Sequence, residues 1–291
     1  MQACHWSRRA FLAAAAGLAS GCSATGALNA LVPSDTYRGE TGIAYGPDPR
    51  HRLDVYRPLV DAPQTPLVVF FYGGSWTRGE RADYRFVGEA LASSGVCAVV
   101  ADYRLSPAVG WRDILHDCAA AVHWAQRNGA GLGADPRRLF VMGHSAGGYN
   151  AAMLALDPRW LGSGAGGPQS LAGWIGVAGP YDFLPITDPD TQRAFGWPAT
   201  PSGSQPVEHV SASAPPALLV APANDSVVST QRSTVGLGRR LEAAGVPVRV
   251  RVLEGLNHAT VIGALAGPLR ALAPVREEVL GFVRATRNGR A

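Results

Sequence analysis

The feature that most constrains this chain is a G-H-S-A-G run at residues 143–147. Residues 138–142 before it, apolar from Leu139 onward, predict a short buried strand, and residues 146–156, rich in Ala, Met and Leu, predict a helix. A serine at a sharp strand-to-helix turn is a nucleophile elbow, and flanking glycines let the backbone approach closely there. Ser145 is therefore the candidate nucleophile. A chance match in a loop is the alternative, since the chain holds 35 glycines.

A serine nucleophile needs a base to accept its proton and an acid to orient that base. After an elbow serine the acid and then the histidine are expected in chain order. Asp225 follows the apolar strand pattern of residues 217–220, and His258 follows the alternating pattern of residues 248–253. Since parallel strands bring their carboxyl ends to one edge of a sheet, we expect Ser145, Asp225 and His258 to meet there.

Both partners have alternative interpretations. Asp225 also fits the cap of a helix beginning near Val227, a role compatible with catalysis. Asp182 and Glu254 are rival acids, and Asp182 too follows an apolar stretch, residues 174–178. Taken alone, His258 fits a loop histidine bonded to backbone, and its place in the ordered series is what favours a base.

Acyl transfer through a serine also needs donors for the oxyanion of the tetrahedral intermediate. We expect one at the backbone N–H of Ala146, at the favourable end of the helix dipole. The others are expected at Gly73 and Gly74, where the apolar strand pattern of residues 67–71 runs into a double glycine. An ordinary Gly-Gly turn is the alternative.

Together these motifs resemble the α/β-hydrolases, and among them the hormone-sensitive-lipase-like and BD-FAE-like esterases with an H-G-G-x-W oxyanion loop. The resemblance covers residues 41–286 and rests on Y-G-G-S-W at 72–76, D-Y-R-L-S-P at 102–107, the elbow, Asp225 and His258. It implies an α/β fold with a mostly parallel central sheet, helices on both faces and a small cap or none.

The resemblance also implies roles for single residues. Ser145, His258 and Asp225 would be the triad, and the oxyanion donors would be Gly73, Gly74 and Ala146. Tyr72 departs from the family, which has a loop-supporting histidine there. Asp102 and Arg104 are expected to be structural partners.

The implied function is a serine hydrolase that cleaves small-molecule carboxylic esters, short-chain or aryl, through an acyl-enzyme and without a cofactor. An aryl formamidase or other amidase with the same triad is the alternative, and a non-catalytic binding member of the fold is the second. Several aromatic residues fit either a substrate pocket or the core. They are Trp76, Tyr103, Tyr149, Tyr181, Phe195 and Trp197, with Trp76, Tyr149 and Tyr181 the preferred pocket residues.

The N-terminus predicts export. Arg8 and Arg9 followed by apolar residues 11–19 resemble a twin-arginine signal, and A-S-G-C at residues 19–22 resembles a lipobox whose Cys22 is acylated. We therefore expect a periplasmic, membrane-anchored lipoprotein of a Gram-negative bacterium, with a plain cleavage site as the alternative. Residues 1–21 would be the signal, 22–40 a linker and 41–291 the catalytic domain.

Composition excludes several other classes. The formal net charge is only +4, so nothing supports nucleic-acid binding. The chain has no lysine, which excludes a Schiff-base lysine mechanism. No metal-ligand spacing appears, because His116 and His123 stand seven apart without partners. Cys97 and Cys118 fit small buried residues, with a bridge between them as the alternative. The oligomeric state stays open.

Overall fold

The computed structural model describes residues 21–162 and 167–286. The strands in chain order are β1 Arg38–Ala44, β2 Arg52–Arg57, β3 Leu67–Phe71, β4 Cys97–Ala101, β5 Leu139–His144, β6 Gly173–Val177, β7 Ala217–Pro222 and β8 Val248–Leu253. The α-helices are α1 Gly21–Ala30, α2 Arg85–Ala92, α3 Trp111–Asn128, α4 Ala146–Leu156, α5 Pro158–Leu161, α6 Pro189–Ala194, α7 Gly236–Ala243, α8 His258–Gly263 and α9 Val275–Ala285.

The strands of the described ranges form one sheet in the order β1-β2-β4-β3-β5-β6-β7-β8. The pairs β1–β2 and β2–β4 are antiparallel, and the remaining pairs are parallel. Every residue of β3, β4, β5 and β6 is buried. Because strand side chains alternate between faces, this burial means that both faces of the central sheet are covered. The mostly parallel α/β sheet confirms the predicted fold class.

The sheet topology places the candidate residues at one edge. Strands β3, β5, β7 and β8 run parallel, so the loops that follow them leave from the same carboxyl-end edge. Ser145 follows β5, Asp225 lies three residues after β7, and His258 begins α8 shortly after β8. The predicted convergence of the three residues therefore follows from the fold.

Two segments differ from their expected local structure. The helical segment after Asp225 begins at Thr230, capped by the Ser229 side chain, and not near Val227. Within residues 22–40, expected to be a linker, α1 packs on the short 3₁₀ helix Arg81–Tyr84, where Asn29 donates to the Ala82 carbonyl at 2.6 Å. The domain boundaries stay a prediction.

The expected export signal falls mostly on residues 1–20, so Arg8, Arg9 and the apolar run lie outside the described residues. Cys22 lies on α1 at the start of the described part. Cys97 and Cys118 are buried free thiols, so the alternative of a bridge between them is wrong. Over residues 21–162 and 167–286, no group of three metal-ligating side chains assembles. Nor does a helix in these ranges have the length and hydropathy of a membrane span.

Candidate active site

Ser145 sits at the turn between β5 and α4, as the motif predicts. Its backbone has φ +55° and ψ −123°, a left-handed conformation that costs a non-glycine residue roughly 1–3 kcal/mol. A Cβ at Gly143 would lie 2.0 Å from the Gly147 carbonyl oxygen, and a Cβ at Gly147 would lie 2.0 Å from that of Phe71. Only glycine fits at either position, so this packing holds the strained serine at the sheet edge.

The three predicted catalytic side chains form a continuous hydrogen-bonded chain. Ser145 Oγ lies 2.9 Å from His258 Nε2, and His258 Nδ1 lies 2.8 Å from Asp225 Oδ2. The Asn257 side chain caps α8 by accepting from the backbone N–H groups of Ala259 and Thr260. This cap fixes the start of the helix, where His258 lies. The arrangement can move the serine proton to the imidazole and stabilise the resulting imidazolium.

The Asp225 carboxylate is held on both oxygens. Its Oδ1 accepts from the backbone N–H of Val227 at 2.8 Å and of Val228 at 3.0 Å, while Oδ2 faces His258. Burial of the carboxylate acts to raise its pKa, but the hydrogen bonds from His258, Val228 and Val227 outweigh burial and lower the pKa. Asp225 is therefore ionised at neutral pH and bonded to the ring nitrogen opposite the one that faces serine.

The rival acids lie elsewhere. Asp182 pairs with Arg232, with 2.6 Å between Oδ1 and Nη2, and Glu254 is exposed to solvent. The hydrogen bond from His258 Nδ1 goes to Asp225, so neither rival occupies the acid position in this geometry.

The double glycine after β3 lies beside the nucleophile. A Cβ at Gly73 would come within 2.8 Å of the Ser145 Cβ, and Gly74 has φ +132° with the Arg78 carbonyl 2.2 Å from where a Cβ would stand. Ala146 is the first residue of α4, where a backbone N–H has no acceptor within the helix. Gly73 and Ala146 thus flank Ser145, and Gly74 follows Gly73 in the same turn. The role of the three residues as oxyanion donors stays a prediction.

His144, the variable residue of the motif, contributes to the site in a way that sequence reasoning missed. Its Nε2 donates to the His258 backbone carbonyl at 2.9 Å, and the two imidazole rings lie 5.0 Å apart. Burial, and then the nearby His258, lower the pKa of His144 to about 3. A neutral His144 with its proton on Nε2 therefore braces the backbone of the candidate base. Its place next to Ser145 in the motif was the available signal.

Asp102 and Arg104 both form structural ion pairs, but not with each other. Asp102 accepts from the Arg81 backbone N–H at 2.7 Å and pairs with the Arg81 side chain. Arg104 forms a two-pronged pair with Asp117 of α3, at 2.9 and 2.7 Å. The expectation that they are partners is wrong, because Asp117 and Arg81 reach them from neighbouring elements.

The three preferred pocket aromatics are core residues. A pocket wall must be accessible to substrate, yet Trp76 is 2% exposed and Tyr149 and Tyr181 are 0% exposed, so this assignment is wrong. Trp76 and Tyr149 pack edge-on and both contact Phe195, which follows α6. Trp76 Nε1 also donates to Asn150 Oδ1 of α4 at 3.0 Å. The cluster fixes the segment around α6 onto the loop that follows β3, residues 72–79, which we call the glycine loop.

Comparison with known proteins identifies the family and the fold. A family model described as BD-FAE matches residues 53–237. The esterase LipC of Mycobacterium tuberculosis is 28% identical over 78% of this chain and 61% of its own length. An isoprenylcysteine alpha-carbonyl methylesterase of Arabidopsis thaliana is 31% identical over 50% of this chain and 35% of its own. The chain thus spans about a third to three fifths of the length of these curated relatives.

Solved structures show the same fold. Esterase B from Lactobacillus rhamnosis, described with a tributyrin phosphonate inhibitor, superposes with a TM-score of 0.78 over 96% of both chains at 23% identity. At that identity the likeness speaks for the fold alone. The family model covers more than half of the chain, including β3, the glycine loop and the elbow. The chain therefore belongs to the BD-FAE family and has the α/β-hydrolase fold.

Proposed function

We propose that this protein hydrolyses carboxylic esters through an acyl-enzyme on Ser145. The observation that carries the proposal is the hydrogen-bonded chain from Ser145 Oγ through His258 to Asp225, with steps of 2.9 and 2.8 Å. A relay of this kind is the arrangement that turns a weakly nucleophilic hydroxyl into an acylating group. Relatives named as esterases support the same reaction class.

The steps follow from the positions of the groups. Ser145 Oγ attacks the ester carbonyl carbon while His258 Nε2 takes the hydroxyl proton, and Asp225 stabilises the imidazolium. The backbone N–H groups of Gly73, Gly74 and Ala146 bind the oxyanion, each donor contributing roughly 3 kcal/mol. Collapse of the intermediate breaks the carbon–oxygen bond to the alcohol, which leaves with the proton from His258. Water then attacks the acyl group with His258 again as base, and Ser145 is restored.

We propose short-chain or aryl esters as the substrate class. The packing next to the nucleophile supports this choice, because the aromatic cluster of Trp76, Tyr149 and Phe195 fills the space between the glycine loop and α6. A long acyl chain would have to displace these buried rings. A short acyl group needs only the space at the sheet edge.

The test is a substrate panel. The chain from residue 23 onward is assayed on p-nitrophenyl acetate, butyrate and octanoate and on an N-formyl anilide, beside Ser145→Ala. We expect acetate and butyrate to be hydrolysed fastest, and Ser145→Ala to lose on the order of a million-fold in kcat. Faster cleavage of the formyl anilide would assign a formamidase instead. A folded wild type inactive on every substrate would overturn hydrolysis and favour a binding role.

We also propose that the protein is exported and anchored by an acyl chain on Cys22, on the strength of the lipobox-like A-S-G-C at residues 19–22. The full chain is expressed in a Gram-negative host and labelled with radioactive palmitate. We expect label in the membrane fraction for the wild type and none for Cys22→Ser. Equal labelling of both, or of neither, would contradict the proposal.

A further inference from the structure

We infer that Arg50 and Tyr72 are positioning residues that clamp the two ends of the glycine loop, residues 72–79, and so hold the oxyanion donors at Ser145. The inference rests on the proposed function for its kinetic consequence. It concerns the position where the family has a supporting histidine and this chain has Tyr72, buried at 0% exposure.

The geometry is a single guanidinium that bridges both ends of the loop. Arg50 Nη2 donates to the Tyr72 hydroxyl at 2.7 Å, at the start of the loop, and to the Gly79 carbonyl at 2.9 Å, at its end. Arg50 Nε donates to the Tyr103 carbonyl at 2.9 Å, just after β4. The Tyr103 hydroxyl in turn donates to the Tyr72 carbonyl at 2.8 Å. Both ends of the loop are thereby tied to one rigid strand end.

The loop between these ends needs restraint because its backbone is strained. Ser75 and Trp76 are non-glycine residues with φ +50° and +59°, and such conformations persist only where the surroundings over-determine them. The middle of the loop is held by its own contacts: the N–H groups of Thr77 and Arg78 donate to the Gly74 carbonyl at 3.0 and 3.1 Å, and Trp76 is bonded through its carbonyl to the Ser106 N–H and through its side chain to Asn150. The clamp adds restraint at both ends of the loop. Its Tyr72 end directly precedes Gly73 and Gly74, so it resists their relaxation away from Ser145.

Tyr72 is suited to this task by its packing. Its ring stacks between Tyr103, with centroids 4.6 Å apart, and Tyr84, with centroids 5.8 Å apart. Gly79 packs against the same ring, since a Cβ there would meet Tyr72 Cδ2 at 2.8 Å. The ring is thus fixed on both faces, and its hydroxyl presents one defined acceptor to Arg50. A lysine in place of Arg50 would supply a point charge and not a fork, so it could not hold three acceptors in this geometry.

The test compares wild type, Arg50→Lys and Tyr72→Phe, with Arg38→Lys as the matched control. Arg38 has a similar side-chain exposure, 38% against 34% for Arg50, and its Nε also donates to a backbone carbonyl, that of Pro58, far from the loop in the sheet order. Two quantities are measured for each. The first is amide hydrogen exchange in a peptide covering residues 72–79, and the second is kcat and KM on p-nitrophenyl butyrate.

We expect faster exchange in residues 72–79 for both loop variants, and a fall in kcat on the order of 10- to 100-fold with KM within threefold. A double variant that combines Arg50→Lys with Tyr72→Phe should lose little more than the worse single one, because the same clamp is broken in each case. Arg38→Lys should match wild type. The inference is overturned if exchange in residues 72–79 stays at the wild-type rate. It is also overturned if kcat and KM change only alongside a general loss of folding. A wild type that cleaves no ester would refute the proposed function alone, and the exchange data would still decide whether Arg50 and Tyr72 hold the loop.

Discussion

Asp225→Asn is expected to lower kcat by about 10⁴-fold at neutral pH without unfolding the protein. The reason is the orientation that the new amide must adopt. The backbone N–H groups of Val227 and Val228, at 2.8 and 3.0 Å, need an acceptor, and only the amide oxygen of asparagine can serve. The amide NH₂ then takes the place of Oδ2, 2.8 Å from His258 Nδ1.

A donor at that point reverses the tautomer of the base. His258 must then accept on Nδ1 and carry its proton on Nε2, 2.9 Å from Ser145 Oγ. A histidine with its proton on Nε2 cannot take the serine proton, although the geometry is otherwise intact. The expected 10⁴-fold loss corresponds to about 5.4 kcal/mol of transition-state stabilisation, at about 1.36 kcal/mol for each factor of ten.

The assay is steady-state hydrolysis of p-nitrophenyl butyrate, with thermal unfolding as the check on folding. Asp182→Asn is the matched control, since Asp182 also lies beyond a strand end but pairs with Arg232. We expect Asp182→Asn to retain wild-type kcat within about threefold, because the variant breaks only a surface ion pair, which contributes little free energy. The reasoning is refuted if Asp225→Asn stays within tenfold of wild type, or if Asp182→Asn loses as much as Asp225→Asn.

Three further predictions concern stability. Burial holds the pKa of His144 at about 3, below the ordinary 6.5, so on acidification the unfolded chain takes up this proton before the folded protein does, and the free energy of unfolding should fall by about 2 kcal/mol from pH 7 to pH 5. Urea unfolding of His144→Gln should lack that part of the pH dependence, and an equal dependence in wild type and variant would contradict the prediction. Gly143→Ala puts a Cβ 2.0 Å from a backbone oxygen and should lower the free energy of unfolding by about 3 kcal/mol or more, whereas Gly131→Ala, with open space around it, should leave the Tm near wild type. Equal Tm values for the two variants would contradict the close packing at Gly143. Asn150→Ala strips the buried Trp76 N–H of its acceptor at 3.0 Å and should cost about 1–3 kcal/mol by urea unfolding, while an unchanged midpoint would show that water replaces the amide.

The catalytic chain could be predicted from the sequence because each member stands at or shortly after the end of a strand. Strand patterns with period 2 or continuous apolar runs are local signals, and the parallel topology brings the carboxyl ends of these strands to one edge of the sheet. The predicted helix over residues 146–156 is α4, and the predicted strand over residues 248–253 is β8. Order along the chain did not separate Asp225 from Asp182, because both lie between Ser145 and His258; the hydrogen bond of His258 to Asp225 separates them.

Other features depend on pairings that a local pattern does not encode. Arg104 pairs with Asp117 and not with Asp102, because the folded chain brings Asp117 of α3 next to the Arg104 side chain. A buried aromatic and a pocket aromatic have the same local signature, so Tyr149 and Tyr181 could not be assigned to the core in advance. The brace from His144 runs to a carbonyl 114 residues away along the chain. Such contacts are products of the tertiary fold.

The most direct test of the Ser145–His258–Asp225 assignment is titration with diethyl p-nitrophenyl phosphate, which phosphorylates an activated serine and releases p-nitrophenol. Released p-nitrophenol is counted by absorbance, and the modified residue is located by mass spectrometry. We predict one equivalent per protein chain with the diethylphosphoryl group on Ser145, and a rate lowered by orders of magnitude in Asp225→Asn. Absence of an adduct on the folded wild type, or an adduct on another residue, would contradict the assignment of Ser145 as the nucleophile.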